Sequence, residues 1–117
     1  MKIRIKDLRL KTVIGVDDWE REQKQEVVVN LEIEIDDERA AETDRIEDTI
    51  NYKTLSKRIF QETEGSQFFL IERLARRVLE ISLEDKRVIK ADVEIDKPHA
   101  LRFAESVSVR LTAGRGE

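Results

Sequence analysis

The stretch ADVEIDKPHALRFAESVSVRL, residues 91–111, contains two runs in which apolar and polar residues alternate. Every second residue is apolar in ADVEID, and the same holds in SVSVRL. A period of two residues is typical of β-strands with one face against a core. Between the runs stand Lys97, the only proline, Pro98, and the only histidine, His99. A lysine that a following proline holds at a strand end is a cation with a defined place, although the pattern also fits an ordinary polar turn.

The first 35 residues predict a hairpin of two strands. Residues 3–10, IRIKDLRL, alternate but change parity across Lys6 and Asp7, which predicts a bulge or a bend. Gly15 ends this run, and a charged connection leads to EVVVNLEIEI, the longest alternating pattern in the chain. Residues 36–50 are acidic and weakly periodic, so we expect a strand end and a loop there.

From Asn51 onwards the pattern becomes helical. Asn51 is the predicted N-cap, and Leu55, Ile59 and Thr63 recur at the spacing of one helix face, up to a break at Gly65. A second helix is predicted by IERLARRVLE, whose apolar residues recur at i, i+3, i+4, i+7 and i+8.

The predicted order is therefore strand, strand, helix, helix, strand, strand. This order is typical of an α+β fold with a four-stranded, largely antiparallel sheet and both helices on one face. Residues 1–117 have the length of one domain, and we expect a loose tail at residues 112–117. Edge strands leave backbone N–H and C=O groups unpaired. Pairing between the edge strands of several copies of the chain would satisfy these groups, so we also expect a closed homo-oligomer.

The composition limits the partners of the protein. Charged residues make up 41% of the chain and the net charge is -4, whereas a nucleic-acid-binding protein is normally basic. The absence of cysteine excludes disulfides and thiolate chemistry. The N-terminus, MKIRIKDLRL, lacks the apolar core of a signal peptide, and no run reaches membrane-spanning length. We therefore expect a cytoplasmic protein with neither nucleic-acid nor membrane partners.

Several kinds of catalytic site are disfavoured by residue type. One histidine and no cysteine do not make a zinc site, and no spacing of carboxylates points to magnesium. The chain has no Walker loop, no GxGxxG motif and no pattern typical of a serine triad. Lysine, tyrosine and carboxylates remain.

The candidates for chemistry are Lys97, Tyr52 at the start of the first helix and Glu72 early in the second. Each also has an ordinary structural explanation. Acidic residues suit the first turn of a helix, and Arg76 stands four residues after Glu72. Tyrosines that begin helices are commonly half-buried. Charged runs such as the one that contains Glu20 are commonly solvated.

Taken together, these residues resemble the dihydroneopterin aldolase and epimerase family. The matching segments run from near residue 3 to near residue 111 in the order of the family. IRIKDLRL, INYKTLSK and EIDKPHALRFAESVS resemble more closely the branch that acts on dihydroneopterin triphosphate as a 2′-epimerase, while Pro98 also suits the aldolase branch. The matches are IGV at 14–16, Glu20 followed five residues later by Gln25, EVVVNLEI, INY at 50–52, LIERLA at 70–75 and VEIDKPHA at 93–100.

The resemblance implies the tunnelling fold, with the element order given above. Four subunits of such proteins close a barrel, and two rings stack into a homo-octamer with active sites between neighbouring subunits. The resemblance also implies an enzyme that uses neither metal nor cofactor.

The resemblance further implies a set of residues that bind the pterin ring. Glu72 would accept paired hydrogen bonds from the amino and N–H groups of the ring, which suits a planar carboxylate. Backbone groups near Ile71 and, from the neighbouring subunit, near Ile50 and Asn51 would complete the pocket. Gln25 belongs to the same predicted set.

The implied catalytic residues are Lys97, Glu20 and Tyr52. Lys97, with Glu20 nearby, would promote removal of the 2′-hydroxyl proton, either directly as a desolvated amine or as an ammonium that orients a water. Tyr52 of the adjoining subunit would transfer a proton in aldol cleavage.

The implied reaction is epimerisation at C2′ of 7,8-dihydroneopterin triphosphate by retro-aldol and aldol steps, with side aldolase activity. The alternative is the dihydroneopterin aldolase of folate biosynthesis, which releases glycolaldehyde and 6-hydroxymethyl-dihydropterin. A third interpretation is a ring-forming module without catalytic activity. For the triphosphate, we hypothesise that His99 and Arg102, with Lys53 or Lys57, supply local positive charge.

Overall fold

Five strands form one sheet in the computed structural model of this chain, which describes residues 1–115. The strands are β1 (Lys2–Ile14), β2 (Lys24–Ile35), β3 (Gln67–Phe68), β4 (Val88–Pro98) and β5 (Ser106–Gly114). They lie in the order β3-β1-β2-β4-β5; β3 is parallel to β1, and the other neighbours are antiparallel.

Three α-helices and two 3-10 turns connect the strands. The helices are α1 (Arg39–Thr43), α2 (Tyr52–Glu64) and α3 (Ile71–Ser82), and the 3-10 turns are Asp18–Arg21 and Ile46–Asp48. The predicted cap of α2 is confirmed: Oδ1 of Asn51 accepts hydrogen bonds from the backbone N–H groups of Lys53 at 3.1 Å and Thr54 at 3.3 Å.

The core lies between one face of the sheet and the helices α2 and α3. Alternate residues of β2 and β4 are buried there, as the period of two predicted. Leu74, Val78 and Leu79 of α3 and Ile59 of α2 cover them from the other side. The mixed α+β fold and the placement of both long helices on one face are thus confirmed.

The opposite face of the sheet is polar. Arg4 lies 3.6 Å from Glu32, and Arg110 lies 2.9 Å from Asp92. Because these charged side chains pair with one another across the strands, this face needs no apolar cover.

The bulge predicted in the first strand is confirmed. The register between β1 and β2 shifts between Ile5 and Leu8, where Asp7 adopts a left-handed φ of 53°. The side chain of Asn30 on β2 accepts a hydrogen bond from the Asp7 N–H at 2.9 Å, which stabilises the irregular backbone.

The prediction of four strands and two helices was incomplete. β3 has two residues, which is too short for an alternating pattern, and it pairs only at Val13 with Gln67 and at Ile14 with Phe68. The helix α1 lies in the segment predicted to be a loop. It has no buried residue, so it leaves no apolar stripe in the sequence.

The predicted loose tail was wrong for residues 112–114, which continue β5. They pair with β4, and the side chain of Arg115 donates to the carbonyl oxygens of Leu83 at 2.6 Å, Asp85 at 2.9 Å and Val88 at 3.0 Å. The remainder of the predicted tail, residues 116–117, lies outside the described residues. None of the helices within residues 1–115 is long and apolar enough to cross a membrane.

Candidate active site

A cleft of about 320 Å³ opens where the end of β1, the beginning of α3 and the connection between β4 and β5 meet. Its charged side chains are Glu20, Glu72 and Lys97, and the remainder of its lining is apolar. Apolar clefts with a few polar groups are typical sites for small organic ligands. Glu72 and Lys97 belong to different elements and face one shared space.

Two of the charged side chains in this cleft form an ion pair. Nζ of Lys97 is 2.5 Å from Oε2 of Glu20. Glu20 stands in the 3-10 turn after β1 and is 6% exposed, and Lys97 stands near the end of β4 with its side chain 15% exposed. The alternation in β4 and the charged turn after β1 therefore place two opposite charges together in a partly dehydrated position.

Two further donors hold the Glu20 carboxylate. The amide Nε2 of Gln25 donates to Oε2 at 3.0 Å, and the backbone N–H of Asp17 donates to Oε1 at 3.2 Å. The hydrogen bond from Lys97, followed by that from Gln25, lowers the pKa of Glu20 to about 2 despite its burial. Glu20 is therefore an ionised carboxylate at neutral pH.

Gly15 leaves room for that carboxylate. Its φ is +123°, a conformation that residues with a side chain rarely adopt. A Cβ atom at this position would collide with the carboxyl group of Glu20. The glycine after the first strand is thus required both by the backbone conformation and by the close approach of Glu20.

Glu72 also lines the cleft, stands in the first turn of α3, and is exposed. Among the described residues its carboxylate has no hydrogen-bond or ion-pair partner, and the pair with Arg76 suggested by the spacing does not form. Ile71, the preceding residue, is buried and also lines the cleft. Both oxygens of Glu72 are therefore available to a ligand.

A second cleft, of about 390 Å³, lies at the start of α2 and is lined by Ile50 and Asn51 among others. Tyr52 begins α2 and is 56% exposed. None of these three residues lines the cleft of Glu20 and Lys97. A single chain therefore does not bring the two predicted groups together.

Residues 3–112 match the family described as FolB: dihydroneopterin aldolase. The chain belongs to this family. The membership expected from its motifs is thereby confirmed.

Relatives from both branches of the dihydroneopterin aldolase family are similar to the chain. The dihydroneopterin triphosphate 2′-epimerase of Pseudomonas aeruginosa is 46% identical over 114 residues, which are 97% of this chain and 93% of that protein. The dihydroneopterin aldolase of Escherichia coli is 32% identical over 110 residues, 94% of this chain and 90% of that protein. The crystal structure of E. coli dihydroneopterin aldolase in complex with neopterin has a TM-score of 0.93 at 31% identity, with 97% of this chain and 99% of that chain covered. The relatives are named as enzymes, an isomerase and a lyase, as expected of this chain.

Three other residues predicted to bind substrate lie outside the lining of the first cleft in this family member. Gln25 donates hydrogen bonds to the carbonyl of Ile14 at 2.8 Å and to the carboxylate of Glu20, so its amide holds that carboxylate in place. His99 and Arg102 are exposed in the connection between β4 and β5, and the guanidinium of Arg102 lies 5.5 Å from the ring centre of Phe103. Their predicted contact with substrate stays a prediction.

The sequence reasoning missed the apolar walls of the cleft. Phe69 and Leu70 precede α3, and Leu101 follows His99 in the connection to β5. Apolar residues in connections carry no periodic signal, although exposures of 61% for Phe69 and 58% for Leu101 mark them once the fold is known. Within residues 1–115, no group of three or more histidine or acidic side chains is arranged to hold a metal ion.

Proposed function

We propose that the protein epimerises C2′ of 7,8-dihydroneopterin triphosphate to dihydromonapterin triphosphate, by retro-aldol and aldol steps without a metal, and that it has side aldolase activity. The observation that carries the proposal is one apolar cleft that is lined both by an unpartnered carboxylate, Glu72, and by the Glu20–Lys97 ion pair. The choice of substrate is supported by the 46% identity to a protein named as the epimerase.

In this proposal Glu72 holds the pterin ring. Its two oxygens accept hydrogen bonds from the 2-amino group and the adjacent ring N–H, and a planar, bidentate acceptor suits that edge. The ring lies between the apolar walls, with Leu70 and Leu101 on the lining of the cleft. The side chain at C6 of the ring then extends towards Lys97.

Bond cleavage begins when the 2′-hydroxyl loses its proton. The C1′–C2′ bond breaks, its electron pair moves into the ring imine, whose nitrogen takes up a proton to give an enamine, and C2′ becomes the carbonyl carbon of a glycolaldehyde fragment that keeps the triphosphate. In the epimerase this fragment turns and the enamine adds to its other face, which inverts C2′. Atoms and electrons balance within substrate and product, so no external oxidant or reductant is needed.

The ion pair favours one of the two roles expected for Lys97. An ammonium that is paired with an ionised carboxylate has no lone pair with which to accept a proton. We therefore assign Lys97 the task of orienting a water and of stabilising the developing alkoxide, and Glu20 the task of holding that ammonium in place.

A second candidate function is dihydroneopterin aldolase. The 32% identity to the E. coli aldolase and the similarity to its neopterin complex favour it. The same cleft would perform the cleavage, after which Tyr52 of an adjoining subunit protonates the enamine and 6-hydroxymethyl-dihydropterin and glycolaldehyde leave. The time for which the fragment is retained then decides between the two products.

The proposed assembly is a homo-octamer of two stacked tetramers. Among the described residues β5 pairs with β4 alone, so its outer edge is open to a strand of another copy. Exposed apolar residues surround the first cleft, including Val16, Trp19 and Phe69. A neighbour seated there would bring its own Asn51 and Tyr52 to the site. Light scattering at micromolar concentration tests this assembly, and a monomer would contradict it.

The function is tested by supplying each substrate separately. We expect 7,8-dihydroneopterin triphosphate to yield its 2′-epimer as the main product on a chiral column, with 6-hydroxymethyl-dihydropterin as a minor one. If unphosphorylated dihydroneopterin is cleaved faster than the triphosphate is epimerised, the aldolase is the correct function. If the protein turns over neither compound, the result supports the non-catalytic interpretation.

A further inference from the structure

Arg21 joins two segments of the chain that both contribute to the lining of the cleft. It ends the 3-10 turn that carries Glu20. Its Nη1 atom donates hydrogen bonds to the carbonyl oxygen of Gly15 at 2.9 Å and to that of Phe68 at 2.6 Å. The guanidinium carbon also lies 4.0 Å from the centre of the Phe69 ring.

These contacts differ from those of a surface ion pair. Arg21 is half-buried, and within the described residues it has no carboxylate partner. Its partners are two backbone carbonyls and an aromatic face. A planar guanidinium can donate in its plane and stack on a ring at the same time, which an ammonium cannot do.

The segments that Arg21 joins have few other direct contacts. The parallel pairing between β1 and β3 consists of two residue pairs, supplemented by hydrogen bonds from the Gly15 N–H to the Phe68 carbonyl at 3.3 Å and from the Thr12 hydroxyl to the Ser66 carbonyl at 3.1 Å. The helix α3, which carries Glu72, has its own anchor because Leu74 and Ala75 are buried in the core. The turn of residues 18–21 is buried only at Glu20, so Arg21 is its main attachment to the segment that leads into α3.

We propose that Arg21 is a positioning residue of the site: it fixes the turn that carries Glu20 relative to the segment leading to Glu72, and so sets the distance between the ring-binding carboxylate and the Lys97 ion pair. The inference rests on the proposed function, since it assigns the Glu72 carboxylate and the ion pair to two parts of one substrate. Small displacements of reacting groups reduce turnover strongly while leaving the binding of a distant substrate part intact.

The test compares Arg21→Met, which removes the hydrogen bonds, with Arg21→Lys, which keeps the charge, and with Arg9→Met as a control. Arg9 lies on β1 with its side chain 62% exposed, and its loss removes only an ion pair with Glu26. Three quantities are measured: kcat with dihydroneopterin triphosphate, the Kd of a 7,8-dihydropterin that lacks the C6 side chain, and the fluorescence anisotropy of Trp19. Trp19 is the only tryptophan and lies in the same turn as Glu20.

We expect Arg21→Met to lower kcat about tenfold or more, to change the Kd by less than about twofold and to lower the anisotropy of Trp19. Arg21→Lys should give intermediate values, and Arg9→Met should match the unchanged protein. An unchanged kcat, or a rise in Kd that accounts for the whole loss of activity, would overturn the inference. If the unchanged protein turns over neither pterin, the proposed function fails. The anisotropy of Trp19 then tests by itself whether Arg21 fixes the turn. An unchanged anisotropy in Arg21→Met would overturn that role.

Discussion

Nζ of Lys97 lies 2.5 Å from Oε2 of Glu20, although 77 positions separate the two residues in the chain. The contact joins the end of β4 to the turn after β1, and it is the only ion pair among the described residues in which both side chains are less than about one sixth exposed. A charge pair in this position is costly to dehydrate, which favours a functional reason for it.

Replacement of Lys97 by Met should abolish most turnover. The variant loses the cation that stabilises the alkoxide, and a single preorganised donor of this kind contributes about 10²–10³-fold, so we expect a loss of kcat of that size. It should also lower the free energy of unfolding by about 1–3 kcal/mol, because Glu20 stays buried with only Gln25 and the Asp17 N–H as donors. Single-turnover kinetics and urea unfolding measure the two effects. Lys90→Met, at an exposed position of the same strand, is the control, and equal activity of the two variants would contradict the assignment.

The stability of the protein should fall as the pH falls from about 4.5 to about 2, in part because of Glu20. Its pKa is about 2 in the folded chain against an ordinary 4.5, so in this range the unfolded chain binds a proton that the folded chain does not. The stabilisation is fully present above pH 4.5, and it amounts to at most about 3 kcal/mol. Urea unfolding at several pH values measures it in the unchanged protein and in Glu20→Gln. The variant should show a shallower decline, and parallel curves would argue against the pKa shift.

The charges of the site illustrate how far the sequence can predict a structure. Alternation in β2 and β4 and the apolar stripe of α3 predicted the core, because period and burial are directly linked. The motifs predicted that Glu20, Glu72 and Lys97 belong together, and the fold places them in one cleft.

Other features left no trace in the sequence. The contact of Arg21 with the Phe68 carbonyl depends on a two-residue strand that has no period of its own, and Arg21 itself stands in a run of charges typical of solvated surface. The helix α1 was missed for a related reason, since none of its residues is buried. Contacts between strands and helices can be predicted from the period of the sequence. Contacts made by residues in connections can be identified only in the folded chain.

Replacement of Glu72 by Gln should weaken pterin binding with little effect on stability. Gln keeps one acceptor but presents a donor amide to the donor edge of the ring, so we expect the Kd for a dihydropterin to rise about 10–100-fold. Because Glu72 is exposed and has no partner among the described residues, the unfolding midpoint of the variant should hardly differ from that of the unchanged protein. Calorimetric titration measures the affinity, with Glu42→Gln on the exposed helix α1 as the control. An affinity equal to that of the control would exclude Glu72 as the anchor of the ring.

Replacement of Gly15 by Ala should impair both folding and activity. The new Cβ collides with the Glu20 carboxyl group, and φ of +123° is strained for alanine, so we expect a loss of about 1–3 kcal/mol in the free energy of unfolding. Displacement of Glu20 should also lower kcat. The matched variant is Gly65→Ala, where φ is -87° and the nearest atom to a Cβ is 3.1 Å away, the Gln61 carbonyl oxygen. Equal destabilisation by the two variants would show that the position of Glu20 does not constrain residue 15.

Replacement of Arg102 by Ala tests whether the connection between β4 and β5 recognises the triphosphate. Arg102 is exposed and directly follows Leu101, which lines the cleft. Arg102 and this part of the cleft wall therefore belong to the same connection. If Arg102 makes a charge-assisted contact with phosphate, its replacement should raise KM for dihydroneopterin triphosphate about 10–100-fold, because one such contact contributes about 1.5–3 kcal/mol. KM for unphosphorylated dihydroneopterin should stay the same, since that substrate has no group for Arg102 to bind. Steady-state kinetics with both substrates decide the matter: equal changes in the two KM values would mean that Arg102 acts on the shape of the loop and that the triphosphate is bound elsewhere.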